Sequence, residues 1–187
     1  MKKLLLYVVA IIIMAPTLTL CKKGEEDPFL SLRSRKARLV GEWKLVSGSL
    51  VLSAGNEVYE TSFNGSNATI NYGLQQGSIQ YSETVTFDKN NAYKIEIVTD
   101  GSFESDEGFW SFMTGYGEIA NKEYVVLRIA KSIDGVNFDM YSGDNMPVQV
   151  LRLLKLSNKE VIVEAKGTDF WNGVQRNFYS TKTYKKQ

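Results

Sequence analysis

The chain has 187 residues, a formal net charge of +1, one cysteine and no histidine. Because histidine is absent, the sequence excludes serine–histidine and cysteine–histidine nucleophilic pairs, histidine zinc sites and the usual general base near neutral pH. Its balanced charge lacks the basic excess that nucleic-acid binding requires. We therefore expect one compact core with no catalytic residue, no metal or other cofactor and no nucleic-acid partner.

Residues 1–20 have the pattern of a secretory signal peptide. Lys2 and Lys3 give a positive start, residues 4–15 carry no charge, and Pro16 interrupts the apolar stretch. A membrane-spanning helix needs roughly 20 consecutive apolar residues, which is more than this stretch provides. The pattern therefore favours a cleaved signal peptide over a transmembrane anchor.

Cys21 follows this stretch and is the only cysteine, so it has no disulfide partner within the chain. An unpaired cysteine in an exported protein is either a free thiol or a modified one. The segment Leu18-Thr19-Leu20-Cys21 resembles the lipobox of bacterial lipoproteins, in which the cysteine becomes the acylated first residue. The resemblance implies lipidation at Cys21 and a membrane as partner through that N-terminal lipid.

Residues 21–27 are expected to form a lipidated tether. The run Lys22-Lys23, followed by Glu25-Glu26-Asp27, is similar to the signals that send some lipoproteins of the Bacteroidetes to the cell surface. We therefore expect an outer-membrane lipoprotein that is exposed at the cell surface, with a periplasm-facing position as the second choice.

Residues 28–187 are expected to fold as one all-β domain after a short N-terminal helix. Asp27 and Pro28 predict the helix start, as N-cap and first helical residue, and Gly41 predicts its end. After the helix, apolar residues alternate with polar ones, and residues 88–91 predict the turn of a hairpin. Further strands are predicted at residues 102–112, 122–130, 148–157, 159–167 and 174–184.

The links between most of these strands are too short for crossover helices. Asn172-Gly173, the dipeptide that a type I′ turn requires, is expected to join the last two strands. Residues 64–78 and 131–147 are expected to be long loops. The strands should therefore form an antiparallel up-and-down barrel of about eight or nine strands, which leaves no exposed edge. A two-sheet sandwich is the alternative.

Three segments together resemble the lipocalin-like lipoproteins of the Bacteroidetes. They are the run from the predicted helix start through Gly41-Glu42-Trp43, the strand Glu107-Gly108-Phe109-Trp110-Ser111-Phe112, and the hairpin Leu154-Lys155-Leu156-Ser157-Asn158-Lys159-Glu160. The resemblance implies a lipocalin-like barrel in which Trp43 packs at the closed end, against the helix and an arginine from the last strand region. Arg176 is the first candidate for that arginine and Arg152 is the second.

Aromatic residues are the candidates for ligand or partner contact. Alternation places Phe87 and Tyr93 inside the barrel and puts Trp110 and Phe112 on one strand face, while Trp171 lies beside a predicted hairpin tip. A barrel of about eight strands is either packed solid or just able to hold one small ligand. The inward side chains are therefore either core or pocket lining, and Trp171 either closes a barrel mouth or forms a contact patch.

The leading hypothesis is a non-catalytic, monomeric binding module that holds a small apolar or amphipathic ligand. The alternative is a structural or interaction module of the cell envelope, with a solid barrel core, that binds protein or glycan through its loops. A carboxylate-dependent enzyme is the third hypothesis, since Glu104 and Asp106 share one strand face. A solvated strand edge is the simpler interpretation of these two residues.

Overall fold

The computed structural model describes residues 34–113, 124–171 and 174–187, and covers residues 169–171 by their backbone. The predicted signal peptide, Cys21, the tether and the predicted helix start lie outside the described residues, as does the Asn172-Gly173 turn. Within the described ranges, no helix is long and apolar enough to cross a membrane.

A short helix precedes the strands. This helix, α1 (Arg35–Leu39), begins after Ser34, whose Oγ accepts a hydrogen bond from the Ala37 backbone N–H at 3.1 Å, as is usual for an N-cap serine. The strands are β1 (Gly41–Ala54), β2 (Glu57–Phe63), β3 (Asn67–Tyr72), β4 (Gln75–Phe87), β5 (Ala92–Thr99), β6 (Ser102–Phe112), β7 (Tyr124–Asp134), β8 (Asn137–Met140), β9 (Val148–Leu156), β10 (Glu160–Trp171) and β11 (Val174–Lys186). A 3₁₀ turn, Gly143–Asn145, lies between β8 and β9.

The strands form one antiparallel sheet that closes on itself. Each strand from β1 to β7 pairs with the next one along the chain, β7 also pairs with β9, and β9, β10, β11 and β1 follow in that order. The result is a closed barrel of ten strands, to which β8 is added beside β7. The predicted fold class, an antiparallel up-and-down barrel with a short N-terminal helix, is confirmed, with more strands than expected.

The barrel narrows towards the helix. The first residues of β1 pair with β4, from Gly41 to Lys44, whereas the later ones pair with β2, from Gly48 to Ala54. The β2–β3 hairpin is therefore inserted between β1 and β4 at one end only. Because barrel width grows with strand number, the barrel is narrower at the end that carries α1, the α1 end, and wider at the opposite, far end.

The α1 end is plugged by tightly packed side chains. Trp43 is completely buried, and Leu39 and Leu156 beside it are at most 1% exposed. Trp43 Nε1 donates to the Leu39 carbonyl at 2.6 Å, and the buried Arg38 donates from Nη1 to the Leu156 carbonyl at 2.5 Å. The Lys186 ammonium lies 4.9 Å from the centroid of the Trp43 ring. The helix thus closes this end of the barrel.

The end of the chain lies beside the helix as well. Lys186 Nζ donates to the Val40 carbonyl at 2.5 Å. The backbone N–H of Gln187 donates to the Glu42 carbonyl at 3.0 Å. Ser34, at the start of the described chain, and Gln187 are therefore both at the α1 end.

Both predicted long loops contain strands, so these two predictions are wrong. Residues 64–78 include β3 and the start of β4, and residues 131–147 include the end of β7, all of β8 and the 3₁₀ turn. All of β8 and the first residues of β4 are exposed on both faces. The first residues of β4 are polar or glycine and show no alternation, and β8 alternates over four residues only, the shortest run from which a strand is recognised.

Candidate functional site

A cavity of about 250 Å³ occupies the interior of the barrel. Leu39 and Trp43 form its floor at the α1 end. Its wall is mostly apolar and includes Leu50, Val85, Ile95, Leu151, Val163 and Phe178. A bulge in β1 between Leu45 and Ser47 changes the alternation of that strand. Both Leu45 and Leu50 therefore face the interior, although they are five positions apart and strict alternation would put them on opposite faces.

A charged cluster interrupts the apolar wall. Glu83, on β4, is only 4% exposed. Its carboxylate forms an ion pair with the Lys182 ammonium and accepts hydrogen bonds from the hydroxyls of Tyr184 and, at 2.6 Å, Tyr81. Glu83, Lys182 and Tyr184 all line the cavity. The ammonium of Lys182 also lies 5.2 Å from the ring centroid of the buried Phe63.

The two tyrosines of the cluster are held in their neutral form. Burial raises the pKa of Tyr184 well above its ordinary value, and the charge of Glu83 raises it further. Burial is also the main cause that raises the pKa of Tyr81, and Glu83 again adds to it. Both hydroxyls therefore remain donors to Glu83, which serves as the common acceptor of the cluster.

A second polar group lies on the β5–β6 side of the cavity. Asp106 lines the cavity and pairs in register with Ile95, while Glu104 pairs with Ile97. The two carboxylates thus share the inward face, as alternation predicts, and Asp106 is not on a solvated edge. The hydroxyl of Tyr93 is buried without a hydrogen-bond partner among the described residues. Burial raises the pKa of Tyr93, and the charge of Asp106 adds to the shift.

Of the aromatic candidates whose side chains the structure describes, only Phe87 lines the cavity. Trp110 packs edge-on against Phe87 and Phe112, with ring centroids 5.5 and 5.6 Å apart, and its Nε1 donates to the Asp88 carbonyl at 3.1 Å. Trp110 is thus a core residue of the α1 end, and Phe112 packs against that core. Tyr93 is buried next to the cavity, and Trp171 ends β10 with its side chain outside the described part.

The structure does not bring Trp43 and Arg176 together. Trp43 pairs in register with Lys186, and Arg176 pairs with Asp169 near the far end. From Arg176 to Lys186 is 186 − 176 = 10 residues, or roughly 33 Å of extended strand. The expected place of Arg176 beside Trp43 is therefore wrong, and Lys186 supplies the cation there.

The second candidate for that cation, Arg152, lies on β9 opposite Glu164 of β10. Its Nη1 is 3.8 Å from Glu164 Oε1. The resemblance implied an arginine beside Trp43, whereas Lys186, the last residue of β11, supplies the same charge there.

Sequence reasoning missed Glu83, Lys182 and Tyr184, which form the polar part of the site. Glu83 precedes Val85 and Phe87 at alternating positions of β4. A charged residue in line with inward apolar residues is a signal for a buried, partnered charge. Lys182 precedes Tyr184 in the same way on β11. The sequence contains that signal. It does not show that β4 and β11 lie on either side of β1, where Glu83 meets Lys182 and Tyr184.

Comparison with known proteins assigns this chain to no family. It matches no family model and no curated protein. Among solved structures it is similar to a polyisoprenoid-binding domain from Saccharophagus degradans, implicated in plant cell wall breakdown, with 7% identity and a TM-score of 0.37. The match covers 79% of this chain and 99% of that one. A likeness this distant says nothing about what this chain binds.

Proposed function

We propose that the barrel is a non-catalytic binding module for a small amphipathic molecule. The apolar body of the ligand lies in the cavity, and its polar group contacts the Glu83–Lys182–Tyr184 cluster. The observation that carries this proposal is an ion pair between the buried Glu83 and the partly buried Lys182 on the wall of an otherwise largely apolar cavity.

An ion pair inside a barrel is costly in free energy. Moving each ion out of water costs several kcal/mol, and apolar side chains of similar volume often stabilise a core at least as well. Binding pockets, in contrast, combine an apolar lining with a few fixed polar groups that orient the ligand. The Glu83–Lys182 pair therefore fits the polar anchor of a pocket better than a device for stability alone.

The cavity volume limits the size of the ligand. An apolar cavity of about 150 Å³ holds benzene, whereas pockets for drug-sized ligands have about 300–1,000 Å³. The volume here is about 250 Å³. It accommodates a molecule larger than benzene, or the polar end and the first carbons of a longer chain.

Lys182 and Asp106 define the polar chemistry of the ligand. A lysine ammonium has three donors, and Glu83 uses one from Lys182. Asp106 lines the same cavity and is an acceptor when ionised. A hydroxyl or an amide both accepts and donates, so either group can use both residues. The favoured ligands are therefore amphipathic alcohols and amides.

A cavity-filling variant tests the proposal. We would measure binding of N-phenyl-1-naphthylamine by fluorescence, and of straight-chain alcohols, amides and acids by native mass spectrometry, with the full chain in detergent. Ala165 lines the cavity, whereas its neighbour Lys166 is exposed. Ala165→Phe should weaken binding at least about tenfold, because it removes the space for the ligand, and Lys166→Phe should bind as the wild type. Absence of uptake by the wild type, or equal binding by both variants, would overturn the proposal.

Exposed apolar residues at the far end favour a second function, contact with an envelope protein. Leu74 and Val136, at two hairpin tips, are 108% and 99% exposed, and Met140 is 75% exposed. Apolar residues exposed together at one end often mark a contact surface. Changing Leu74 and Val136 to Asp should abolish cross-linking to such a partner and leave ligand binding unchanged. The cavity argues against the solid core that this alternative assumed.

We further propose that a lipid on Cys21 anchors the protein to the outer membrane, with a monomeric domain exposed at the cell surface. The support is the sequence pattern of residues 1–27. Intact mass spectrometry of the chain from a bacterial host that lipidates exported proteins should find an acyl mass on Cys21. A free thiol at Cys21, or a Cys21→Ser variant that still stays with the membrane, would overturn the anchor.

A further inference from the structure

The barrel wall has a seam next to the cavity. The register between β9 and β10 runs from Leu156–Val161 to Arg152–Glu164 and ends there. Beyond that point residues 148–151 of β9 pair only with β7, and β10 from Ala165 onward pairs only with β11, within the described residues. The two strands therefore separate over residues 148–151 and 165–168, which we call the seam.

The cavity extends to this seam. Gln149 and Leu151 on β9 and Ala165 on β10 belong both to the seam and to the cavity lining. Along the β1–β11 junction, in contrast, the pairs are continuous from Ser47 to Ser53. Backbone hydrogen bonds therefore close the wall of the cavity between β1 and β11. Between β9 and β10, at the seam, only side chains close it.

The outer border of the seam is apolar. Val148 and Val150 are 55% and 39% exposed, and Phe138 and Met140 on β8 are 57% and 75% exposed. Since β8 and β9 pair with successive parts of the same edge of β7, these side chains form one strip. An apolar molecule meets favourable contacts along this strip before it reaches the cavity.

The route through the far end is less suitable for such a molecule. Glu104 on β6 pairs directly with Asp134 on β7 near that end. Glu104 shares the inward face with the cavity-lining Asp106, so carboxylates lie between the cavity and the far end. An apolar chain that passes them has to remove water from charged groups, which is costly.

An ion pair lies at the end of the seam that is nearer to α1. Arg152 Nη1 lies 3.8 Å from Glu164 Oε1, and the Tyr179 hydroxyl donates to Glu164 at 3.0 Å. These contacts lie at the last pair of the β9–β10 ladder. The Arg152 side chain is 33% exposed, and ion pairs in contact with water are weak. Opening this pair is therefore less costly than opening the next one, Leu153–Val163, whose side chains are buried in the core.

We propose that the ligand enters and leaves the barrel sideways through the β9–β10 seam. The Arg152–Glu164 pair holds the two strands together at the end of the seam that is nearer to α1. This inference rests on the proposed function, since it describes how the same cavity is reached. Lateral entry also gives the chain of a ligand longer than the cavity a way out, along the apolar strip.

A disulfide across the seam tests the proposal. Because the strands separate beyond Arg152–Glu164, the cysteines are placed at this last pair of the β9–β10 ladder, where Cα atoms lie within reach of a disulfide. The full-length variant Arg152→Cys/Glu164→Cys would be oxidised, and peptide mapping would verify the 152–164 bond alongside Cys21. The matched control, Ser49→Cys/Thr181→Cys, joins a pair that is already in register in the β1–β11 ladder.

The measurement is stopped-flow fluorescence with N-phenyl-1-naphthylamine. The seam disulfide should slow both association and dissociation at least about tenfold, with the dissociation constant within about twofold, and reduction should restore both rates. The control disulfide should leave the rates unchanged, and Glu164→Gln should increase both several-fold. Equal rates in oxidised and reduced seam variants would overturn lateral entry while the binding function stands. No binding of the probe or of the ligand panel to the wild type would overturn both.

Discussion

Glu83 connects two strands that are not neighbours. Its donors are Tyr81 on its own strand, β4, and Lys182 and Tyr184 on β11. At this height β4 and β11 lie on either side of β1. The carboxylate therefore links β4 to β11 across β1 from inside the barrel, so it contributes to the shape of the cavity as well as to its charge.

We expect Glu83→Gln to lower the free energy of unfolding by about 3 kcal/mol. The substitution keeps the shape of the side chain but leaves the Lys182 ammonium inside the barrel without its opposite charge. Urea denaturation measures the effect. Glu96→Gln is the control, because the Glu96 side chain is 38% exposed, and it should change stability by less than about 0.5 kcal/mol.

A second substitution separates charge from shape in this cluster. Glu83→Gln combined with Lys182→Met removes both charges, and most of the lost stability should return. If the double variant is no more stable than Glu83→Gln alone, the hydrogen bonds of the carboxylate to the tyrosines matter more than the ion pair.

At the residue scale, the sequence predicts which side chains face inward but not which ones meet. Glu83 alternates with Val85 and Phe87, so its inward direction follows from β4 alone. Its partners Lys182 and Tyr184 come 99 and 101 residues later. Their contact depends on barrel closure and register, which no local pattern contains.

At the scale of elements, the junction of β6 and β7 depends on a glycine. The register between these strands shifts between Glu107 and Gly108. A Cβ on Gly108 would lie 2.0 Å from the Arg128 carbonyl oxygen and 3.0 Å from the Ala130 nitrogen. Because both neighbours are backbone atoms of β7, only glycine fits at this bulge.

We expect Gly108→Ala to lower the free energy of unfolding by about 1–3 kcal/mol, the usual cost of forcing extra volume into a packed site. The control is Gly77→Ala on β4, where an added Cβ has nothing within 4 Å. That change should be neutral or slightly stabilising, since alanine restricts the unfolded chain. Thermal unfolding of both variants checks the difference, and similar melting temperatures would contradict the argument.

The elements that the sequence predicted best are those with one buried face. The strand predicted at residues 102–112 is β6, Ser102–Phe112, and the hairpin around residues 88–91 joins β4 and β5. β3 and β8 were not predicted because each is short and follows a turn with glycine, although apolar and polar residues alternate in both. Alternation over four to six residues is a weaker signal than the longer alternating run of β5, Ala92–Thr99.

At the scale of the whole molecule, buried tyrosines make stability depend on alkaline pH. Burial raises the pKa of Tyr81, Tyr93 and Tyr184 above the ordinary value of about 10. The unfolded chain therefore loses these protons at lower pH than the folded one does. The stabilisation is complete below about pH 10 and is lost as the pH rises further, because the folded state binds more protons there.

Urea denaturation between about pH 8 and pH 11 checks this dependence. We expect the free energy of unfolding to fall above about pH 10 by about 1.4 kcal/mol per pH unit for each buried tyrosine. Tyr184→Phe removes one such group, so its decline should be shallower by about that amount. A free energy of unfolding that stays constant to pH 11 would contradict the burial of these hydroxyls in solution.

Ser34 and Gln187 both lie at the α1 end, and the barrel closes on itself. The chain could therefore begin at a different strand without a change in how the strands pair. A short linker between these two residues, with a cut at the Gly55 turn of the far end, would give a circular permutant that keeps every pair of the ladder. A protein fused at Ser34 or at Gln187 would lie at the α1 end in both cases. The far end and the seam would then remain accessible with either fusion.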